Sequence, residues 1–346
     1  MKIIRRILIL IIITAVSMNN IQNYINAYAK VSSEKPVKTA VILFSLDDPY
    51  ISSVRKGLEE IQNKNKNSVS YTFYDGKRNQ DIQNTIIDSV LESDYDLLLL
   101  NLVDLDQDTI SSVINKTKQK NVPLILFNTV PFNVEPIKSY SRSLVISTDA
   151  KQSGILQGDL VVSEWNSNKN AIDMNGDNTL QYIMFQGPPN ITATLERSSY
   201  SISTINDSGV KTQEALSKSC FWNEKCAEDS MELLFLRYNG KFEAIISNND
   251  AMAIGAIKAL QKYGYNKGDK SKYIPVFGID GITEAIDLIN KGIMAGTVFQ
   301  DANETAEALY VVGMNLVHNR DPLENTNYKF DETGVTVKLP YYAYAK

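Results

Sequence analysis

The sequence predicts an α/β protein with parallel sheets in two similar halves. Three observations predict it. Short continuous apolar runs recur, as strands covered on both faces require. Each run is followed by a polar corner and then by apolar residues at helical spacing, the alternation that gives parallel strands with right-handed crossovers. The chain has 346 residues, room for about two domains.

The elements follow in order. Residues 41–44 form the first strand, and Asp47-Asp48-Pro49 starts a helix, with Asp48 as cap and Pro49 as first helical residue. Ile51, Val54, Leu58 and Ile61 mark that helix's buried face. Strands over 69–74 and 97–100 flank a helix over 82–91, and 122–127 is a fourth strand ending at Asn128. Ser147-Thr148-Asp149 opens a second series: helix 152–165, strand 181–185, a helix from after Pro189 to 205, and helix 227–236. Strand 242–246 then meets the corner Ser247-Asn248-Asn249-Asp250 and a helix of small residues and spaced aliphatics. Strands over 274–278 and 295–299 end at Asp280 and Gln300, and a helix spans 302–317. The tail over 334–344 alternates like antiparallel edge strands.

Composition narrows the function. A hydrophobic content of 43% and a charged content of 22% are ordinary for a globular chain. A net charge of −5 argues against nucleic acid or an anionic membrane surface as the main partner. Residues 1–29 stand apart. Lys2, Arg5 and Arg6 precede an apolar run over 7–16, and Ala27-Tyr28-Ala29 follows, which reads as a secretory signal peptide or a retained membrane anchor. The run is shorter than the roughly 20 residues of a membrane-spanning helix. No cysteine lies there to carry a lipid. Export permits disulfides, and Cys220 and Cys226 flank Trp222; spacing alone leaves bridge and free thiols both open.

Polar residues fall in a regular place. Asp48, Asn128, Asn249, Asp280 and Gln300 each come shortly after an apolar strand. Any one of them would serve as a helix cap. Ligands in open α/β sheets bind at those same strand ends, and five Asp, Asn or Gln side chains together suit a site that hydrogen-bonds hydroxyls. Asp173, Asn175, Asp177, Thr179 and Gln181 form a second pattern, oxygen ligands at alternate positions as at the start of an EF-hand loop. The closing Glu is absent and Asn178 stands at the turn, so the stretch by itself reads as a polar loop. Enzyme chemistry is not expected. His318 is the lone histidine, at a helix end where it caps, and no Gly-x-Ser-x-Gly elbow occurs.

Six motifs carry a resemblance: Ser45-Leu46-Asp47-Asp48-Pro49-Tyr50 with Val54-Arg55-Lys56, Asn101-Leu102-Val103-Asp104, and Ser147-Thr148-Asp149 continuing to Leu160, then the stretches 247–260, 275–280 and 295–302. In this order and spacing the chain resembles the type I periplasmic sugar-binding proteins, in particular the branch that binds D-galactose and D-glucose. The resemblance implies two doubly wound domains joined by three hinge strands near 147–149, 299–301 and 328–330. The N-terminal lobe would comprise 38–147 plus 302–328, and the C-terminal lobe 149–299 plus 330–346.

It also implies a function: an extracytoplasmic monosaccharide receptor, monomeric, delivering its sugar to an ABC transporter. The alternative is a membrane-anchored sugar sensor signalling to a histidine kinase or chemoreceptor. The matching sugar contacts are Asp48, Asn128, Arg197, Asn249, Asp280 and, in changed form, Gln300, with Tyr50 and Trp222 as the aromatics that sandwich the ring; Asp250 is then the cap beside Asn249. Where the family has a sugar-binding His and Asp, this chain has Ile191 and Ala193. That leaves the sugar's identity open: a smaller or less hydroxylated ligand, an apolar ligand edge at Ile191, or repair by Asn190, Thr192 or Thr194. The family's loop binds calcium, which assigns Asp173, Asn175, Asp177, Thr179 (through its carbonyl), Gln181 and the distant Glu243 as ligands.

Overall fold

The computed structural model describes residues 35–129, 131–238 and 241–346. The signal or anchor expected over residues 1–29 lies outside them. Among the described residues no helix is long and apolar enough to cross a membrane.

The first half runs β1 (Val37–Leu43), α1 (Pro49–Lys64), β2 (Val69–Asp75), α2 (Gln80–Leu91), β3 (Leu97–Leu100), α3 (Gln107–Lys120), β4 (Leu124–Phe127), α4 (Glu135–Lys138) and β5 (Ser143–Thr148). The second half runs α5 (Ala150–Ile172), β6 (Thr179–Gln186), α6 (Thr192–Asp207), β7 (Lys211–Ser219), α7 (Glu224–Tyr238), β8 (Ala244–Ser247) and α8 (Asp250–Lys262). It continues with β9 (Val276–Asp280), α9 (Thr283–Asn290) and β10 (Gly296–Gln300). Helix α10 (Ala302–Val317), β11 (Thr336–Leu339) and β12 (Tyr341–Ala345) complete the chain.

Two six-stranded sheets result, ordered β11-β5-β4-β3-β1-β2 and β12-β10-β9-β8-β6-β7. Among the strands described, the pairings are parallel except β12 on β10, and Phe330 adds an isolated antiparallel bridge to Val337 of β11. Alternate residues of β1 feed opposite layers, because successive strand side chains point to opposite faces. Val41 and Leu43 join Ile51, Val54 and Leu58 of α1, while Ala40 and Ile42 join Ile87 of α2 and Ile110 of α3. Each fully buried Val, Leu or Ile among them contributes about 1.5–3 kcal/mol. The two-sided burial expected from the continuous apolar runs is therefore what the sheets have.

Several details differ from expectation, and α3, β5 and α9 were not among the expected elements. Strand β7 went unread because its sequence, KTQEALSKS, is polar and half exposed at a sheet edge. The tail is not an antiparallel pair: β11 adds parallel to β5 in the first sheet and only β12 is antiparallel. Residues 336–339 thus belong to the first lobe, and the third crossing between lobes falls at Pro340, not near 328–330. Tail alternation shows which face each residue takes but not which sheet edge receives it.

Candidate functional site

The strand ends of both sheets face a common cavity of about 630 Å³. Asp48, at the start of α1, is buried and does two things. Its Oδ1 accepts the Ile51 N–H at 3.0 Å, capping the helix, while Oδ2 lies 3.9 Å from Arg78 Nη2. Asn249 behaves alike, its Oδ1 capping α8 through the Met252 N–H at 3.0 Å while the residue also lines the cavity. The cap and ligand readings are thus compatible. Asp250, expected as the cap beside Asn249, has another job. Its carboxylate is fully enclosed and accepts from the Gly281 and Ile282 N–H groups at 2.7 and 3.0 Å and from Thr297 Oγ1 at 2.6 Å. Gly278 makes this possible, since a side chain there would collide with that carboxylate. Asp250 therefore pins the turn that carries Asp280, whose φ of +132° is a strained value for a residue with a side chain.

Asp280 lines the cavity 3.8 Å from Arg197, which is also buried. Arg197 donates to the Asn248 carbonyl and to Tyr341 Oη, both at 2.7 Å. Burial raises the Asp280 carboxyl well above its ordinary range; Arg197 opposes this, and the charges of Asp250 and Asp48 add to it. Burial likewise raises Asp48, against the Ile51 N–H and Arg78. The cavity thus holds two desolvated carboxylates with unspent acceptor capacity, beside a guanidinium held in place.

Both expected aromatics line it, together with Phe44, Phe221 and Tyr341. Tyr50 is buried on α1, its hydroxyl 2.9 Å from Thr305 Oγ1. Trp222 sits in a loop closed by a Cys220–Cys226 disulfide, which answers the question left by spacing; the Cα atoms are 5.4 Å apart. Phe221 and Trp222 are both left-handed, with φ of +54° and +65°. Gly187 lets the indole lie directly on its backbone, where a side chain would overlap the ring.

Asn128, left-handed at the end of β4, lines the cavity as expected. Gln300 does not. It lies one layer behind, giving its amide N–H to Asn128 Oδ1 at 3.1 Å and accepting Tyr341 Oη at 3.2 Å. Ile191 and Ala193 both line the cavity, and Ile191 is the N-cap of α6 with no side-chain bond to the helix. Ser or Asp there would be worth about 1 kcal/mol. Two contributors escaped sequence reasoning. Tyr341 accepts from Arg197 and from Thr148 (2.6 Å), and Arg78 reaches across the cleft to the Phe221 carbonyl at 3.2 Å. The Pro340 before Tyr341 was the one available signal, since a proline at the end of a strand marks a break in pairing.

The 173–181 loop folds back on itself. Asn178 N–H donates to Asp173 Oδ2 (3.1 Å), Asp177 N–H to Asn175 Oδ1 (2.8 Å) and Thr179 N–H to Asp177 Oδ1 (2.8 Å). Gln181 Nε2 donates to Asp177 Oδ2 at 2.9 Å. Glu243, from the neighbouring strand end, accepts the Met174 and Gln181 N–H groups at 2.8 and 3.3 Å. All six residues therefore converge, with Gly176 and Asn178 left-handed at the turn. Asp173 Oδ1 is buried without a hydrogen-bond partner. Among the described residues no group of three or more His, Cys, Asp or Glu is close enough to hold a metal by itself, so amide and carbonyl oxygens would have to complete any shell.

Two lobes joined by three crossings thus place ligand-type side chains at facing strand ends. The periplasmic binding protein domain matches residues 39–321. The chain belongs to the periplasmic binding protein family. Among relatives of this periplasmic binding protein, the D-galactose/methyl-galactoside binding periplasmic protein of Haemophilus influenzae is 31% identical over 305 residues, 88% of each chain. The ribose import binding protein of Bacillus subtilis is 22% identical, covering 83% of this chain and 84% of the relative. Among solved structures, an ABC transporter solute binding protein from Bacillus halodurans with bound myo-inositol superposes with a TM-score of 0.72 at 20% identity, covering 90% and 96% of the two chains.

Proposed function

We propose that this periplasmic binding protein captures a monosaccharide outside the cytoplasm and delivers it to an ABC transporter. One observation carries the reading: Tyr50 and Trp222 enter a cavity ringed by Asp48, Asn128, Arg197, Asn249 and Asp280, contributed by both lobes. A pyranose has apolar C–H faces for the aromatics and a rim of hydroxyls for the polar groups. Ionised carboxylates accept hydroxyl protons, and Arg197 supplies fixed donors. The relative from Haemophilus makes a galactose-like ligand the first to test. With Ile191 and Ala193 in place of polar partners and Gln300 set back, galactose itself would find fewer hydroxyl contacts.

The same reading extends to calcium. Asp173, Asn175, Asp177, Gln181 and Glu243 would hold it through side-chain oxygens, and Thr179 through its carbonyl. An all-oxygen donor set suits a hard cation, and the unpartnered Asp173 Oδ1 supports the fit. Calcium would neutralise the loop's carboxylates and tie Glu243 to it.

The experiment is a titration with hexoses and pentoses, read by Trp222 emission. A response to at least one sugar is expected, and Asp280→Ala should weaken it by about 10- to 100-fold, the worth of a hydrogen bond to a charged group. Silence across the panel would sink the sugar reading.

A further inference from the structure

The lobes are hinged along one end of their sheets. The crossings leave from β5, β10 and β11, which with β12 hold the first two places in each strand order. Strands β2 and β7 are the edges at the opposite ends. Arg78 lies in the turn after β2 and Phe221 in the loop after β7. The 3.2 Å bond from Arg78 Nη1 to the Phe221 carbonyl thus joins the lobes at the edges farthest in strand order from the crossings. Rotation about the crossings separates those edges most, so the bond exists only while the cleft is closed. Both of its ends are fixed in uncommon backbone. Lys77 and Arg78 are successive left-handed residues, with φ of +52° and +54°, as are Phe221 and Trp222 across from them. Such conformations persist where the surroundings hold them, and they cluster at ligand clamps. Here the Arg78 N–H donates to the Phe44 carbonyl at 2.7 Å, and the Lys77 N–H to Asp75 Oδ1 at 2.9 Å. The guanidinium lies 4.9 Å from the centre of the Phe44 ring, with Nη2 3.9 Å from Asp48 Oδ2. One side chain therefore reaches a proposed ligand contact of the first lobe and the residue before Trp222 in the second.

We propose that Arg78 is a positioning residue that clasps the Trp222 loop to the first lobe over the bound sugar and sets how slowly that sugar leaves. This rests on the sugar reading above. A sugar enters while the lobes are apart and the clasp is unmade. It leaves only after the clasp breaks, so loss of the bond is felt in release, where most affinity differences between related complexes lie. Arginine suits the task because its planar fork carries five donors, enough to serve the carbonyl and Asp48 at once.

The test is stopped-flow mixing of the full chain with D-galactose, or with the hexose or pentose of the panel above that gives the largest response, followed by Trp222 emission. The parent protein and Arg78→Met are compared with the Cys220–Cys226 bridge intact and after reduction. Met keeps an unbranched chain against the Phe44 ring but donates no hydrogen bond. The Arg78 side chain is 29% exposed on a turn, so the fold is kept. With the bridge intact the substitution should raise the off-rate about tenfold, the lower worth of a hydrogen bond from a charged group. The on-rate should carry the smaller part of the affinity loss. With the bridge open the loop is no longer held for the clasp, and the same substitution should raise the off-rate about threefold or less, since effects that share a contact do not add. The remainder reflects the charge lost beside Asp48. The inference is overturned if Arg78→Met releases sugar at the parent rate, if the on-rate carries the loss, or if the increase is the same with the bridge open. A parent protein that binds no hexose or pentose would overturn the sugar reading itself, and this inference with it.

Discussion

Asp280 shows what the site demands of single residues. Its backbone is strained, and the turn after it is held by two N–H bonds to one buried carboxylate, Asp250, which also accepts from Thr297 on β10. Burial pushes Asp250 up to about 6. An unfolded Asp titrates near 3.9. Between those values the folded state binds the extra proton, so this group makes stability fall as pH rises from about 4 to about 6, by about 3 kcal/mol, and contributes no slope above. Asp250→Asn, whose amide oxygen can still accept the two N–H bonds, should flatten that part of the profile. Chemical denaturation at pH 4.5 and pH 7 measures it; an unchanged slope in the variant would assign the titration elsewhere. Sequence reasoning found Asn249 and Asp250 together but gave the cap to Asp250, whereas Asn249 carries it while also lining the cavity. Both residue types cap helices, and only the contact with the β9–α9 turn separates them.

At the scale of elements, the Trp222 loop depends on its disulfide. Two consecutive left-handed residues cost roughly 1–2 kcal/mol each, and a ring closed over a separation of 6 residues restores about 2 kcal/mol by restricting the unfolded chain. Reduction, or Cys226→Ser, should therefore weaken ligand binding about tenfold or more while the lobes remain folded. Titration with and without reductant tests this, and equal affinity in both would remove the loop's positioning role. The 173–181 loop makes its own prediction. If calcium occupies it, a hundredfold excess over the dissociation constant adds about 2.7 kcal/mol. A melting temperature unmoved by chelator would count against the assignment. Strand β7, which leads into the Trp222 loop, was illegible in the sequence because an edge strand needs little apolar surface.

For the whole molecule, the lobes meet in a buried polar network. Thr148 and Arg197 donate to Tyr341, Tyr341 to Gln300, and Gln300 to Asn128, so residues of both lobes and at all three crossings share one set of bonds. Partly satisfied networks are costly. Tyr341→Phe strands the Arg197 N–H, at about 1–3 kcal/mol. The expected outcome is a weaker ligand affinity, by about tenfold or more, and a larger radius of gyration for the empty protein by small-angle scattering. An unchanged radius would show that the network does not hold the lobes together. Gln300 belongs to this network more than to the ligand surface. Its place after an apolar strand was legible, but its depth was not.

The amino-acid sequence by itself determined the alternation of elements, the cap at Asp48, the polar strand ends and the motifs of the family. These are local matters, set by hydrophobic period and by the hydrogen-bonding needs of helix termini. Tertiary structure alone decided the sheet that receives β11, the crossing at Pro340, the disulfide, the role of Asp250 and the part played by Tyr341. Each depends on groups far apart in the chain being brought within bonding distance, and a local pattern carries no information about that distance. Ile191 belongs to both accounts: the sequence marked it as a departure, and the fold put it at a helix cap on the cavity wall.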